Sequence, residues 1–463
     1  MESSIEYPVT MLMRMILVCL FLGWGIMQPL TASAQVPDMT MNATPNPVGS
    51  GARAMGMGGA FISVADDATA ASWNPGGLLQ LTKPEISAVG SFFSGSIDYK
   101  TSGINGDIED TSPDIYHLNY LSAVLPFTML QRNFVFSLNY QHLYEFSLEN
   151  RFTWMEVNSI AMIDLSHNDY KYQKGSLNTL SPALGIQINP SLFMGVTLNI
   201  WEDDILDNGW ENINIQAAQG IDLGYEKRMH SEIYERYDFS GFNMHLGFLF
   251  TSDYHTLWGG KRKFRIGGVV KTPFDADIRH EKQEIFYEDY PGNPVLNNYY
   301  ESTSSQELTI KMPLSYGLGV SLYFTDSFCM ALDVYRTHWE QYLLVYPSGV
   351  ERSPINKEFK DQADIDPTTQ IRLGGEYLFQ KPGRIIPVRL GAFYDPEPAT
   401  GRPDDIYGIS IGTGISYREI FSIDFVYQYR FGDKKEAESM HGADIVGEVK
   451  QHYFYTSIIY YLF

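Results

Sequence analysis

Ser410 is the residue of this chain whose surroundings best match a catalytic motif. It stands in Gly408-Ile409-Ser410-Ile411-Gly412, which fits the G-x-S-x-G pattern of serine hydrolases. That chemistry needs a strand, a sharp turn and a helix, so that the serine stands exposed. Here Ile409 and Ile411 alternate with small residues as in a continuous strand. We therefore interpret the motif as a stripe of small residues that makes room on one face of a strand.

The sequence also gives little support for a metal site or for cysteine chemistry. Asp361, Asp364 and Asp366 carry the oxygen ligands that calcium prefers, but a charged, solvated loop is the interpretation we favour. The sequence has no H-E-x-x-H motif, and its histidines are scattered. Cys329 is the only cysteine beyond an N-terminal signal, so no internal disulfide can form. We expect no enzyme, no bound metal and no cofactor.

Residues 1–34 have the organisation of a secretory signal peptide. An apolar stretch from Met15 to Ile26 follows Arg14 and is too short to cross a bilayer as a helix. The small residues before Gln35 fit the A-x-A site of a signal peptidase, so we expect cleavage after Ala34. Lipoprotein processing at Cys19 is a weaker alternative, because the apolar core continues past it.

The charge and the hydropathy of the chain narrow the class of protein further. The formal net charge of -22 argues against nucleic acid as a partner. No apolar run reaches eighteen residues, so the sequence predicts no transmembrane helix. The mean hydropathy of -0.19 alone suggests a soluble protein, but barrel strands evade such averages because half of each strand faces a polar lumen.

From residue 85 to the end, apolar residues recur at every second position in short segments. Phe134, Phe136 and Leu138, for example, alternate with Ser137 and Asn139. A period of two with one apolar face predicts half-buried strands. We count about fourteen, near residues 85–94, 114–125, 132–148, 174–189, 191–202, 236–251, 261–280, 305–324, 327–343, 369–379, 385–395, 406–417, 420–430 and 449–463.

The connections between these strands are alternately long and short. The long ones lie near residues 95–113, 149–173, 203–235, 281–304, 344–368, 396–405 and 431–448. A transmembrane barrel has short turns on the periplasmic side and long loops outside. The sequence therefore predicts an all-β fold, a transmembrane antiparallel β-barrel of about 14 strands over residues 85–463.

The last strand has an apolar residue at nearly every second position. Tyr453, Tyr455, Ile459, Tyr461 and Phe463 form this series, which is broken at residue 457. We expect this face to touch lipid.

Residues 35–84 do not alternate and are predicted to form a plug in the barrel lumen. Small residues, among them Gly56, Gly58 and Gly59, let backbone pack closely against an inner wall. A short helix is expected to stop at Asn74-Pro75, which Gly76 follows. We reject the interpretation of these glycines as a dinucleotide-binding loop, because Phe61 occupies the position of the third glycine in the G-x-G-x-x-G motif. A free periplasmic tail is the weaker alternative to a plug.

Several of these segments resemble the long-chain fatty-acid transport proteins of the bacterial outer membrane (the FadL/TodX type). The resemblance is close in the N-terminal part of the chain and weaker in the rest. It covers Gly51-Ala52-Arg53-Ala54-Met55-Gly56-Met57-Gly58-Gly59-Ala60-Phe61, Ala65-Asp66-Asp67-Ala68-Thr69-Ala70, Trp73-Asn74-Pro75-Gly76-Gly77-Leu78, Thr337-His338-Trp339, Arg372-Leu373-Gly374-Gly375-Glu376-Tyr377 and Arg389-Leu390-Gly391. The family usually has alanine where this chain has Gly76, a change expected to leave the local backbone freer.

This resemblance implies a fourteen-stranded barrel blocked by an N-terminal plug. Hydrophobic ligands would land on external loops, pass into the lumen and leave sideways through a kink in the wall. Relatives take up aromatic hydrocarbons or belong to a protein-secretion system, so the motif identifies the fold better than the cargo.

We accordingly expect passive uptake of hydrophobic compounds, foremost long-chain fatty acids, by a monomeric outer-membrane protein. Outer-membrane lipids and the barrel assembly machinery are its expected partners. The alternative is a structural or protein-secretion-associated barrel whose loops bind a protein partner. A general polar porin ranks third, because the predicted plug argues against it.

A fatty acid needs an apolar groove and a shielded cation for its carboxylate. The long connections 203–235 and 281–304 are the richest candidates for the groove, and we take Trp210, Phe286 and Tyr290 as representatives. Alternation places five cations on the lumen side: Lys271, Lys311, Arg372, Arg389 and Arg430. Acidic lumen residues such as Glu376 and Asp424 are expected to pair with several of these cations.

Overall fold

The structure is a computed structural model that describes residues 49–102, 106–110, 114–253, 255–257, 260–418, 420–435 and 444–462. The predicted signal peptide, residues 1–34, and residues 35–48 of the predicted plug lie outside this part. Within it, no helix is long and apolar enough to cross a membrane.

Strands dominate the described chain. They are β1 (Glu85–Ser102), β2 (Gly106–Asp110), β3 (Ile115–Met129), β4 (Arg132–Glu145), β5 (Leu148–Asn158), β6 (Ile163–Asn189), β7 (Leu192–Trp201), β8 (Gly209–Asp222), β9 (Tyr225–Thr251), β10 (His255–Leu257), β11 (Gly260–Lys271), β12 (Phe274–Asp289), β13 (Asn298–Met312), β14 (Ser315–Thr325), β15 (Phe328–Thr337), β16 (Leu343–Val345), β17 (Glu351–Arg352), β18 (Thr368–Lys381), β19 (Arg384–Tyr394), β20 (Ile406–Tyr417), β21 (Phe421–Lys435) and β22 (Asp444–Tyr461). The helices are short: α1 (Ala52–Gly56), α2 (Ala70–Trp73), α3 (Asp203–Leu206), and 3-10 turns at Pro75–Gln80, Pro294–Leu296 and Trp339–Gln341.

Fourteen strands close into one antiparallel barrel. In order around the wall they are β1, β3, β4, β6, β7, β9, β11, β14, β15, β18, β19, β20, β21 and β22. The ring closes where β22 pairs with β1, from Glu85 opposite Tyr461 to Ser102 opposite Asp444. Closure leaves the barrel without a free edge. The predicted fourteen-stranded barrel is confirmed.

Side chains alternate between the two faces of the wall. Leu318, Ile411 and Leu390 are exposed on the outside, whereas Asp333 and Ser410 are buried inside. An exposed aliphatic surface around a buried polar interior is the reverse of a soluble protein, and it matches a wall surrounded by lipid.

The expected orientation of β22 is wrong. Tyr453, Tyr455 and Ile459 face inward and are buried, while Phe454 and Ile458 are exposed on the outer surface. The two tyrosines pack in a cluster with Ala52 of the N-terminal segment, by which we mean residues 49–84. Both faces of this strand are apolar because one meets lipid and the other meets protein, so alternation alone could not decide its orientation.

The predicted long connections 149–173, 203–235 and 281–304 are largely strand. They form a sheet in the order β2, β5, β6, β8, β9, β12 and β13, which we call the sheet extension. β6 and β9 have 27 residues each, far more than the 9–11 that a bilayer requires, so they run from the wall into this sheet. By the rule for outer-membrane barrels, the sheet extension lies on the extracellular side.

The orientation of β22 can be tested with a charge on its outer face. Phe454→Arg puts a cation where the wall meets lipid and is expected to lower the free energy of unfolding by about 2–4 kcal/mol. The measurement is urea unfolding of protein folded into lipid vesicles. The control is Ile160→Arg at the exposed tip of the sheet extension, where we expect a change within about 0.5 kcal/mol. Equal effects of the two substitutions would show that residue 454 does not meet lipid.

Candidate functional site

The N-terminal segment lies inside the barrel and is almost fully buried. Phe61, Trp73 and Leu78 have no exposed surface, and they share a core cluster with Val124 and Val269 of the wall. Trp73 donates from Nε1 to the carbonyl of Ser50 at 2.6 Å, which ties the two ends of the segment together.

Asn74 explains why the segment turns where the sequence predicts. Its Oδ1 accepts a hydrogen bond from the Gly76 amide, and its Nδ2 donates to the carbonyls of Ile62 and Phe248 at 2.8 Å each. Asn74 caps the 3-10 turn that begins at Pro75 and also fastens this turn to β9. A Cβ on Gly76 would lie 2.9 Å from the backbone of Phe248, so glycine here permits close approach to the wall.

Gly56, Gly58 and Gly59 of the N-terminal segment lie against the opposite wall. Gly58 and Gly59 have φ values of +67° and +75°, which side chains rarely allow. A Cβ on Gly58 would also meet the backbone of Ala392 at 3.0 Å, and one on Gly56 would meet Val426.

Wall side chains satisfy the backbone amides of the N-terminal segment. Asp333 Oδ2 accepts from the amides of Phe61 and Ile62 at 2.6 and 2.7 Å. Ser410 Oγ donates to the carbonyl of Gly56 and accepts from the Gly58 amide. Ser410 therefore holds backbone of the N-terminal segment in place.

Ion pairs also hold the N-terminal segment to the barrel wall. Arg53 pairs with Glu376 at 2.9 Å and with Asp66 at 2.6 Å. Arg389 pairs with Glu376 and with Asp424, both at 2.6 Å. Because these groups are largely buried and carry several partners each, removing one would leave another charge unpaired.

Arg372 and Arg430 also face the lumen, as expected, and both carry partners. Arg372 donates from Nη1 to the carbonyl of Gly58 and pairs with Asp395 at 3.3 Å. Arg430 pairs with Asp395 and with Glu397. Three of the five cations proposed for ligand binding are thus engaged in ion pairs of the protein itself.

A cavity of about 60 Å³ opens inside the barrel between the N-terminal segment and the sheet extension. This is smaller than the roughly 300–1,000 Å³ of drug-sized sites, so a long ligand requires side chains of the lining to move. Tyr335 belongs both to its lining and to the core cluster of the N-terminal segment, so it forms part of the floor. The lining residues are Leu143, Tyr144, Trp201, Asn243, His245, Lys271, Thr272, Phe274, Met312, Pro313, Ser315, Tyr335, Thr337, Trp339 and Gln370.

One part of this cavity is polar. Lys271 lies opposite His245 in the pairing of β11 with β9, and its Nζ is 6.0 Å from the centre of the Tyr335 ring. His245 Nδ1 and the Tyr335 hydroxyl are buried and have no hydrogen-bond partner within the described protein. These groups form the polar end of the cavity.

Aromatic side chains also line the cavity, beside polar ones such as Asn243, Thr272 and Gln370. The Trp201 ring stacks on Phe274, with centroids 5.9 Å apart, and its edge donates from Nε1 to Asn243 Oδ1. Trp339 donates from Nε1 to Thr368 Oγ1, so this indole is also fixed. Because the polar edges of both indoles are already satisfied, their apolar rings are available to a hydrophobic ligand.

The prediction that Lys311 faces the lumen is wrong. Its neighbour Met312 lines the cavity, so Lys311 points to the opposite face of β13, where it pairs with Glu351. The strand predicted over 305–324 is two strands separated at Pro313, and alternation counted from β14 does not continue into β13.

The three predicted groove residues lie in the sheet extension and do not line this cavity. Trp210 is sandwiched between Phe146 and Tyr237, with centroids 4.8 and 4.6 Å away. Phe286 stacks on Tyr300. The Tyr290 hydroxyl donates to Asp222.

Sequence reasoning missed Arg53, Asp66 and Asp333 as the residues that hold the N-terminal segment. Asp333 could have been found, because Leu332 and Val334 on either side of it predict that it faces the lumen.

A closed fourteen-stranded wall with an apolar exterior and a filled interior defines an outer-membrane β-barrel channel. The chain belongs to the family of outer membrane protein transport proteins (OMPP1/FadL/TodX), whose family model matches residues 30–459. It is thus an outer-membrane channel for hydrophobic compounds, not an enzyme.

Solved structures of similar fold include a Pseudomonas aeruginosa FadL homologue, with 15% identity over 89% of this chain and 98% of that one and a TM-score of 0.57. The Pseudomonas putida toluene transporter TodX is 10% identical over 90% and 99%, with a TM-score of 0.56. The CymD monoaromatic hydrocarbon channel is 14% identical over 90% and 98%, with a TM-score of 0.52. No curated protein matches the sequence significantly.

Removing the Asp333 carboxylate should loosen the N-terminal segment. Asp333→Ala leaves the amides of Phe61 and Ile62 unpaired, which costs about 1–3 kcal/mol for each. The buried thiol of Cys329 packs in the core cluster of the N-terminal segment and reports on its displacement. We expect its labelling by a thiol reagent to accelerate at least about tenfold, since 1.4 kcal/mol is a factor of ten.

The matched control is Asp405→Ala, which removes a carboxylate bonded to Tyr394 at the barrel rim. Its labelling rate should equal that of the wild type. Unchanged labelling of the Asp333→Ala variant would show that Asp333 does not hold the N-terminal segment.

Two turns of the sheet extension are joined by an ionic cluster outside the membrane. Lys227 pairs with Asp222 at 3.0 Å and with Glu288 at 2.8 Å. Burial would raise the pKa of Asp222, but hydrogen bonds from Tyr290 and Lys227 outweigh it and lower that pKa. Burial would lower the pKa of Lys227, but its acidic partners raise it.

These shifts predict the pH range in which the cluster is stable. The contribution of Asp222 is present above its ordinary pKa of about 3.9 and is lost as the pH falls through the lowered value. The contribution of Lys227 is present below about 10.4 and is lost as the pH rises through the raised value. Hydrogen exchange, corrected for intrinsic rates, should show constant protection at residues 222–227 from pH 5 to 9. Lys227→Met should remove that protection at pH 7, and its persistence would contradict the assignment.

Proposed function

We propose that this channel takes up long-chain fatty acids and that the cavity above the N-terminal segment is the binding site. The observation that carries the proposal is a lining that combines the polar groups of Lys271, His245 and Tyr335 with apolar side chains such as Trp201, Phe274 and Met312. Such a lining suits an amphipathic molecule with one acidic end.

The carboxylate of the fatty acid is placed at the polar end. A buried lysine binds an anion as a point charge, and hydrogen bonds to charged groups are worth about 1.5–3 kcal/mol. The unpartnered Tyr335 hydroxyl can donate to the same carboxylate, and His245 can do so from a protonated ring nitrogen.

The acyl chain follows the aromatic rings. Trp201, Phe274 and Met312 offer it an apolar surface inside the barrel. Burying apolar surface contributes about 25 cal/mol per Å², so binding needs no energy source. We propose passive uptake that is driven by this apolar contact between ligand and cavity.

We further propose that the N-terminal segment acts as a plug and that the ligand leaves sideways. The pairing of β1 with β3 shifts between Val89 and Gly90, which leaves Asn119 opposite no partner. The pairing of β4 with β6 shifts at Leu143, which also lines the cavity. Bulges on adjacent strands bend the wall, and they make this region our candidate for the exit.

Lys271→Met tests the carboxylate site. Loss of the ammonium group should weaken oleate binding about ten- to a hundredfold, while binding of the uncharged oleyl alcohol should change little. Both affinities can be measured by displacement of a fluorescent fatty acid from the detergent-purified channel.

The control is Lys311→Met, because this lysine lies outside the cavity and should leave both affinities unchanged. Equal losses for the acid and the alcohol would show that Lys271 does not hold the carboxylate. Full oleate uptake by cells that lack the gene would contradict the function itself.

A further inference from the structure

Three side chains near the upper rim of the barrel form an arrangement that the transport function does not use. His117 lies near the start of β3, and His142 and Glu145 lie at the end of β4. One nitrogen or oxygen atom from each lies within 4.8 Å of the others, and in the described part of the chain this is the one such group of three. We propose that these residues bind a divalent transition-metal ion, with Zn²⁺ as the representative.

Hydrogen bonds to its neighbours fix the tautomer of His142. Asn178 Oδ1 lies 2.9 Å from His142 Nδ1, and the same oxygen accepts from the Tyr140 hydroxyl. Since an amide oxygen cannot donate, Nδ1 carries the proton. A neutral His142 then has its lone pair on Nε2, the form that binds a metal.

Asn178 is itself held in place. Its Nδ2 donates to Ser176 Oγ, which sets the orientation of the amide, and its backbone bonds in both directions with the Asn208 side chain. A rigid partner on the far side of a ligand histidine is typical of metal sites.

Glu145 is oriented in the same way. Its Oε1 accepts from the amide and the hydroxyl of Ser147, which leaves Oε2 directed at His142 Nε2 at 3.4 Å. In a tetrahedral zinc site with bonds of about 2.0–2.2 Å, two ligand atoms lie about 3.4 Å apart. The distance between Oε2 and Nε2 therefore fits two ligands of one ion.

The third ligand comes from His117. Its Nδ1 and His142 Nε2 are buried without a hydrogen-bond partner in the described protein. The two imidazole rings are stacked with centroids 3.9 Å apart, so the His117 ring must turn out of the stack to direct a nitrogen at the ion. Two imidazoles and one carboxylate are a donor set that suits Zn²⁺ and leaves a fourth position for water.

The fold creates this group through a bulge. The pairing of β4 with β6 shifts between His142 and Tyr144, and bulges commonly redirect side chains. A metal here would join β3 to β4 beside the cavity, because Leu143 and Tyr144 of the same bulge line it.

Metal analysis of the purified channel tests the site. The protein carries no histidine tag, is stripped with EDTA, incubated with Zn²⁺ alone and dialysed, and zinc is counted per barrel by mass spectrometry. We expect one zinc per barrel in the wild type and less than a tenth of that in His142→Ala and Glu145→Gln. Asn178→Ala should weaken zinc binding about ten- to a hundredfold without removing a ligand.

The matched control is His230→Ala, a histidine of the sheet extension that also lies near a carboxylate but has no third ligand among the residues that the structure describes. This variant should keep its zinc. Heat-modifiable migration in electrophoresis confirms that each variant is a folded barrel. Absence of zinc from the folded wild type, or full retention of zinc by folded His142→Ala, would overturn the proposal.

Discussion

The pairing of the first barrel strand with the last is the interaction on which the whole structure depends. Inside a bilayer no water is present to satisfy backbone amides and carbonyls, so each strand needs a neighbour on both sides. The 18 residue pairs between β1 and β22 supply the last missing neighbours. With that pairing, the wall has one face toward lipid and one toward a lumen.

A lumen of this width has to be filled or hydrated, and the N-terminal segment fills its lower part. Short helices and turns leave many backbone groups without partners, and the wall provides them through Asp333, Ser410 and Ser457. Arg53, Glu376 and Arg389 then join the N-terminal segment to the wall by charge. The cavity begins where this packing ends, and its polar end is formed by Lys271, His245 and Tyr335 of the wall.

Much of the barrel could be predicted from the sequence, because alternating apolar and polar residues indicate a wall with one lipid-facing and one lumen-facing side. The pattern gives a wrong prediction where both faces of a strand are apolar or where the strand is interrupted. In β22 both faces are apolar, so alternation predicts the outer face for Tyr455, which lies inside. At Pro313 a break reverses the alternation, so the pattern predicts the wrong face for Lys311, whereas no such break separates Lys271 from the rest of β11.

The sheet extension could not be predicted for a different reason. Its strands meet solvent on much of their surface, so residues such as 298–306 show no apolar face. The ring stack of Trp210 on Tyr237 and the ligand group around His142 depend on residues far apart in sequence. Neither arrangement produces a local sequence pattern from which it could be predicted.

Native mass spectrometry of the channel, extracted gently from its own membrane, shows whether the barrel binds a fatty acid. Our expectation is a monomeric barrel that carries one fatty acid, which is released on activation in the gas phase. A barrel that never carries a hydrophobic ligand, or one that is always accompanied by a stoichiometric protein partner, would contradict it.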